Sequence, residues 1–124
     1  MKRHYEQACM DIRNVDGQDT IDLLLAMPKL AGRVWKHLFD KRDLDGHVAT
    51  TQKEICFELS QHAPHVSTAF KYLVENNHVQ RDGIHFYINP YHWWYGEDHR
   101  KQQARLEWDN RQNAMVISQE VKCN

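Results

Sequence analysis

The sequence predicts an α+β fold: a winged helix-turn-helix domain carrying extra N- and C-terminal segments. Three observations lead there. Two helical stripes, over residues 51–59 and 63–74, are separated by only a few residues, which is helix-turn-helix spacing. Directly behind them, Asp82-Gly83 lies between two β-prone runs, one of the strongest short-range signals for a hairpin. An amphipathic stripe ahead of them supplies a further helix. The order is helix, helix, turn, helix, hairpin.

Taken in order, the first 18 residues carry neither a 3.6- nor a 2.0-residue period, and Asp16-Gly17 marks a turn. From there, Asp19 or Thr20 is a candidate cap for a short helix bearing Ile21, Leu24 and Leu25. Pro28 resets the chain, since proline is best tolerated in a helix's first turn. Leu30, Ala31, Val34, Trp35 and Leu38 then recur at helical spacing to an end near residues 39–41. Residues 40–47 are expected to be a charged loop turning at Gly46.

Thr50 and Thr51 are candidate caps for the next helix, and Glu54, three residues after Thr51, makes a capping box. Ile55, Cys56 and Leu59 form its buried face. After Ser60-Gln61-His62, a helix opening at Ala63 or Pro64 places Val66, Ala69, Phe70, Leu73 and Val74 on one stripe. Asn76-Asn77 closes it, because asparagine tolerates the left-handed conformation. The hairpin turn is assigned to Asp82-Gly83 with both residues at positive φ, and the hairpin ends at Asn89-Pro90.

In the aromatic knot 91–96, Trp93 and Trp94 are assigned to packing in the core or a dimer contact rather than to base stacking. Residues 97–113 have high helix propensity but only Ala104, Leu106 and Trp108 as apolar positions. So narrow a stripe predicts a solvated, partner-bound or fraying helix, with a short mobile tail from Met115. The segments are therefore an N-terminal extension over 1–27, the winged domain over 28–96, and a charged helix and tail over 97–124.

With 124 residues, 41% hydrophobic and 27% charged, the chain is sized for one domain around a modest core. Its longest apolar run, 21–27, is interrupted by Asp22 and is far short of the roughly 20 residues of a membrane span. No apolar stretch follows the basic start, so neither a secretory signal nor a membrane partner is expected. Cys9, Cys56 and Cys123 make neither a disulfide framework nor a C-x-x-C pair, which fits a cytoplasmic protein. No nucleotide-binding loop, nucleophile elbow or paired-histidine nicking motif is present, and His62-x-x-His65 lacks a further ligand at a recognisable spacing. The expectation is no enzyme, no cofactor and no metal.

The blocks Thr51-Gln52-Lys53-Glu54-Ile55, Val66-Ser67-Thr68-Ala69-Phe70-Lys71-Tyr72-Leu73, Tyr87-Ile88-Asn89-Pro90 and Trp94-Tyr95-Gly96 together resemble the RepL-type plasmid replication proteins. The resemblance covers roughly residues 28–96. Its more specific part is the Asn-Pro followed by an aromatic-Gly motif directly after the wing. Gln61 departs from the family, whose turn buries an aliphatic residue there, as does Ala63-Pro64, where the family has polar residues. The family pattern is also more basic. The resemblance implies a non-catalytic DNA-binding protein acting at a plasmid or phage replication origin, in contact with host replication proteins.

If the second helix of the pair enters a major groove, its outward residues are Pro64, His65, Ser67, Thr68 and Lys71. Ser67 and Thr68 suit phosphate or base edges, and Lys71 suits phosphate. Arg81 and His85 flank the wing turn, where arginine fits a narrow minor groove, and Lys53 is a candidate backbone contact. Charge argues the other way. Lysines and arginines number 16 against 17 acidic residues, a formal net charge of −1, whereas duplex binders usually carry a basic surplus. Nine histidines are a reserve of positive charge. Five of them, His62, His65, His78, His85 and His92, lie in the 50–92 window, and protonation beside phosphate predicts binding that weakens with rising pH and salt. The partners expected are double-stranded DNA and a second copy in a homodimer. A transcriptional repressor of a plasmid or phage operon has the same residue features. A module that recruits a helicase or primase without touching DNA is the reading from another class, and a neutral, aromatic-rich recognition face would mark it.

Overall fold

The computed structural model of the chain describes residues 19–123, with side chains over 20–115; the 1–18 readings lie outside the described residues. Eight elements follow in order: α1 (Asp19–Ala26), α2 (Lys29–Lys41), β1 (His47–Ala49), α3 (Gln52–Leu59), α4 (Ala63–Glu75), β2 (Val79–Asp82), β3 (His85–Ile88) and α5 (Asp98–Cys123). The fold is α+β and mostly helical. The one sheet among the described residues is antiparallel, in the order β1-β3-β2. Among the described residues, no helix is long and apolar enough to cross a membrane.

Local chemistry accounts for the helix ends. Pro28 precedes α2 in an extended conformation, where its missing N–H costs no helical bond. The Thr51 hydroxyl accepts from Glu54 N (3.1 Å), and Glu54 Oε1 accepts from Thr51 N (3.2 Å), which completes the capping box. Thr50 adds its own hydroxyl to the same carboxylate at 2.8 Å. Ser60 (φ 55°) and Asn77 (φ 59°) take left-handed conformations at the ends of α3 and α4. Thr20 is no cap. It lies inside α1, fully buried, and its hydroxyl donates to the His92 carbonyl 72 residues away, tying α1 to the segment behind the sheet.

The charged loop expected over 40–47 is shorter than the sequence suggests, because β1 begins at His47. Asp43 Oδ1 accepts from the backbone N–H groups of Asp45 and His47 at 2.8 and 3.0 Å, and the turn hands the chain to a strand paired with β3 through Val48↔Phe86. Only Val48 of its three residues is buried.

The hairpin is present, but its turn is displaced by one residue. Asp82 pairs with His85, so the two loop residues are Gly83 and Ile84. Gly83 has φ +63° and Ile84 does not join it at positive φ, the pattern of a type II′ turn, which puts glycine first. A β-branched isoleucine at the second position disfavours the type I′ turn that Asp-Gly would have made. Gly83→Ala is expected to cost about 1 kcal/mol by strain alone, since no atom crowds a Cβ there. Thermal denaturation of the variant checks it.

The core gathers Val34, Trp35, Leu38 and Phe39 of α2, Ile55 of α3, Val66, Phe70 and Leu73 of α4, Phe86 and Ile88 of β3, and Trp93. Phe70 meets Phe86 at a centroid distance of 5.0 Å, so α4 covers the Phe86 face of the sheet. On the other face lie Gln80 and Tyr87, directly paired, and α5 covers them.

That docking corrects the expectation for the C-terminal segment. α5 extends to Cys123, through the stretch expected to be a mobile tail, and Ala104 and Trp108 are buried. The narrow apolar stripe suffices because polar contacts complete it. Buried Gln80 donates Nε2 to the Trp108 carbonyl and to Gln112 Oε1, both at 3.1 Å, and accepts from Arg111 Nε at 2.7 Å. Arg111 also lies 3.7 Å from the Tyr87 ring centroid, and burial lowers its guanidinium pKa from its ordinary value. Tyr91 donates to Asp109 at 2.7 Å, which raises the phenol's pKa.

Candidate nucleic-acid interface

Helix α4 is held by its inward residues Val66, Ala69, Phe70 and Leu73, all buried. The intervening positions therefore face outward, and Pro64, His65, Ser67, Thr68 and Lys71 are all exposed. Pro64 sits in the first turn, where it removes one donor from the helix N-terminus. The Thr68 hydroxyl donates to the Pro64 carbonyl at 3.0 Å, so its proton is committed to the helix and only its lone pairs remain for a ligand. Ser67 and Lys71, four residues apart, share one side. Two exposed histidines, His62 and His65, meet edge to face at 5.9 Å at the mouth of the helix.

The sheet sorts the two hairpin residues Arg81 and His85 onto opposite faces. Arg81 pairs with Phe86 and lies on the α4 side, whereas His85 pairs with Asp82 on the α5 side. There His85 Nδ1 is 2.9 Å from His47 Nε2, and His47 also approaches Asp43 at 3.5 Å. Arg81 turns toward the helix pair. Its Nη1 donates to Gln52 Oε1 at 2.5 Å and its Nε to the Gly83 carbonyl at 3.2 Å, with the guanidinium carbon 5.3 Å from the Phe86 ring centroid. Gln52, Ser67, Phe70, Lys71, Val74 and Arg81 line a hollow of about 190 Å³.

The structure thus gathers Ser67, Lys71 and Arg81, and sets His85 apart from them. Lys53 is exposed on the first turn of α3, next to Gln52. Gln52 is the contributor that sequence reasoning missed. Its place at the first helical position after the Thr51 cap was legible; its bond to a side chain 29 residues away was not.

Elsewhere on the surface, cations are held in ion pairs: Lys36 with Asp40, Lys41 with Glu58 and Arg100 with Asp45. Glu58 accepts from Lys41 and His37, which hold its carboxyl below its ordinary pKa. Two of the five window histidines take up a proton less readily than an ordinary imidazole. His78 and His92 lie 5.3 Å apart behind α4, and burial lowers both pKa values; with His78 beside it, His92 falls to about 4. Among the described residues, no three His, Cys, Asp or Glu side chains converge as a metal would need.

No protein-family model, curated protein or solved structure matches this chain.

Proposed function

We propose that this is a winged helix-turn-helix protein that binds duplex DNA sequence-specifically through the outer face of α4, with no catalysis of its own. The observation that carries the reading is the convergence of Ser67, Lys71 and Arg81 on one side of the helix pair, with neither cation bonded to a carboxylate among the described residues. The outer face of α4 also bears no exposed Phe, Tyr or Trp side chain, which favours nucleic acid over a protein partner. The action at a plasmid or phage replication origin rests on the resemblance to RepL-type proteins alone, and so does contact with host replication proteins. A repressor role uses the same surface. Two copies paired as a dimer would offer two α4 helices to half-sites one helical turn apart. A cytoplasmic location belongs to the same reading.

Binding is to be measured by fluorescence anisotropy on random duplexes across salt and pH, followed by selection and sequencing. The expected result is an enriched palindromic or repeated site with a steep salt slope; its genomic position separates origin from operator. Replacing Ser67 by glutamate, which puts a carboxylate where phosphate should lie, is expected to weaken binding at least 10-fold while leaving thermal stability within about 0.5 kcal/mol. Absence of binding at low salt and pH 6 sinks the duplex reading. A protein-recruiting role would then lead, and Phe57, 85% exposed on α3, is the first residue to test in it.

A further inference from the structure

We propose that the hollow between the start of α3, the middle of α4 and the end of β2 seats one phosphodiester group of a nucleic-acid backbone, with Gln52 as the residue that positions Arg81 over it. This rests on the duplex-binding reading and narrows it to one subsite.

Charge is the first argument. Two cations, Lys71 and Arg81, line the hollow and, among the described residues, no carboxylate does, whereas Lys36, Lys41 and Arg100, elsewhere in the molecule, each have an acidic partner. Donor geometry is the second. A guanidinium has five N–H donors. Arg81 spends one on Gln52 and one on the Gly83 carbonyl, leaving three in a plane already fixed by those bonds and by the Phe86 ring. Because Gln52 accepts through Oε1, its own amide N–H groups remain to donate beside Arg81. The Ser67 hydroxyl and Lys71 ammonium come from α4, so the donors converge from three elements, as a tetrahedral anion requires.

Apolar wall and size complete the case. Phe70 and Val74 supply carbon surface suited to the sugar adjoining a phosphate. A hollow of about 190 Å³ admits a phosphate with part of its sugar and no base pair. Preorganisation by Gln52 saves the ordering cost of a long arginine side chain.

The test uses the full chain and the duplex pool over a salt series. Arg81→Gln and Lys71→Gln should each weaken binding about 5- to 10-fold at low salt, equally for all sequences, and reduce the salt slope by about 1. Gln52→Leu should weaken binding a few-fold, and Gln52→Glu, which would pair Arg81 with a carboxylate, should weaken it more and lower the slope without loss of thermal stability. A merely structural Gln52 would not move the slope. Folded Arg81→Gln and Lys71→Gln variants with wild-type affinity and slope overturn the seat while leaving duplex binding intact. If the wild type binds no duplex, inorganic phosphate titrated against chloride at equal ionic strength decides separately. Amide shifts at Gln52, Ser67 and Lys71 that vanish in Arg81→Gln keep the site as an anion seat; their absence overturns it.

Discussion

Trp93→Ala is expected to cost the fold about 3–5 kcal/mol, enough to take a third or more from a domain whose total stability is of order 10 kcal/mol. The indole is fully buried and joins three parts of the chain. It meets the Phe39 ring of α2 edge to face at 5.5 Å and stacks on Trp94 at 4.9 Å. The Arg42 guanidinium lies 4.5 Å from its centroid on one side. On another side, Gly46 approaches so closely that a Cβ there would stand 3.0 Å from Trp93 Cζ2. Collapse into the vacated space is restricted on every side by rings and by the turn ahead of β1, so most of the cavity should persist. Urea denaturation should show the midpoint falling with little change in slope. A loss below 1 kcal/mol would mean that the neighbours repack freely and that Trp93 is no anchor. Trp93→Phe, which keeps an aromatic ring, should recover part of the loss.

The parts of the fold that the sequence made legible are those fixed by neighbours in the chain. The Thr51-Glu54 capping box, the proline before α2 and the α4 stripe are local, and all stand in the structure. β1 escaped notice because it has one core residue, Val48, and three residues show no period. α5 was underrated for a different reason. Its attachment rests on Gln80, Arg111 and Asp109 as much as on Trp108, and periodicity of apolar residues counts none of those polar partners. His85 shows a signal available but unused. Strand alternation from Phe86, a core residue, already places His85 on the other face from Arg81. The outward face of α4 followed from its inward stripe, whereas the joining of Gln52 to Arg81 depends on how the hairpin meets the helix pair, which no local pattern encodes.

Buried His78 and half-buried His92 lead to the second large effect, a loss of stability of about 2 kcal/mol as pH falls from about 6.5 to 4. His92 and His78 have rings 5.3 Å apart, and neither Nδ1 has a hydrogen-bond partner among the described residues. His78 stacks on Tyr72 of α4, while His92 Nε2 has only a long 3.5 Å approach from the Asn89 amide. Among the described residues, no carboxylate bonds to either ring to welcome a proton. Burial, then the neighbouring His78, lowers the His92 pKa to about 4, against an ordinary value of about 6.5 in the unfolded chain. Between those two values the unfolded chain binds more protons than the folded one, so stability rises with pH across that window. It is fully present above about pH 6.5 and lost progressively down to about pH 4. The full shift would be worth about 3 kcal/mol at 1.36 kcal/mol per pH unit, and partial access of water to the ring reduces that. His92→Gln should remove most of the slope from pH 7 to 5, leaving the part that His78 contributes, in a range that lies above the window in which Glu58 gives up its bonds to Lys41 and His37. The release should begin at the N-terminal helix, because the His92 carbonyl is the acceptor that holds buried Thr20 of α1. Hydrogen exchange at pH 5 should therefore show faster exchange in α1 than in α4, and His92→Gln should abolish the difference between pH 5 and pH 7. A pH profile as steep in the variant as in the wild type would assign the acid sensitivity to other groups.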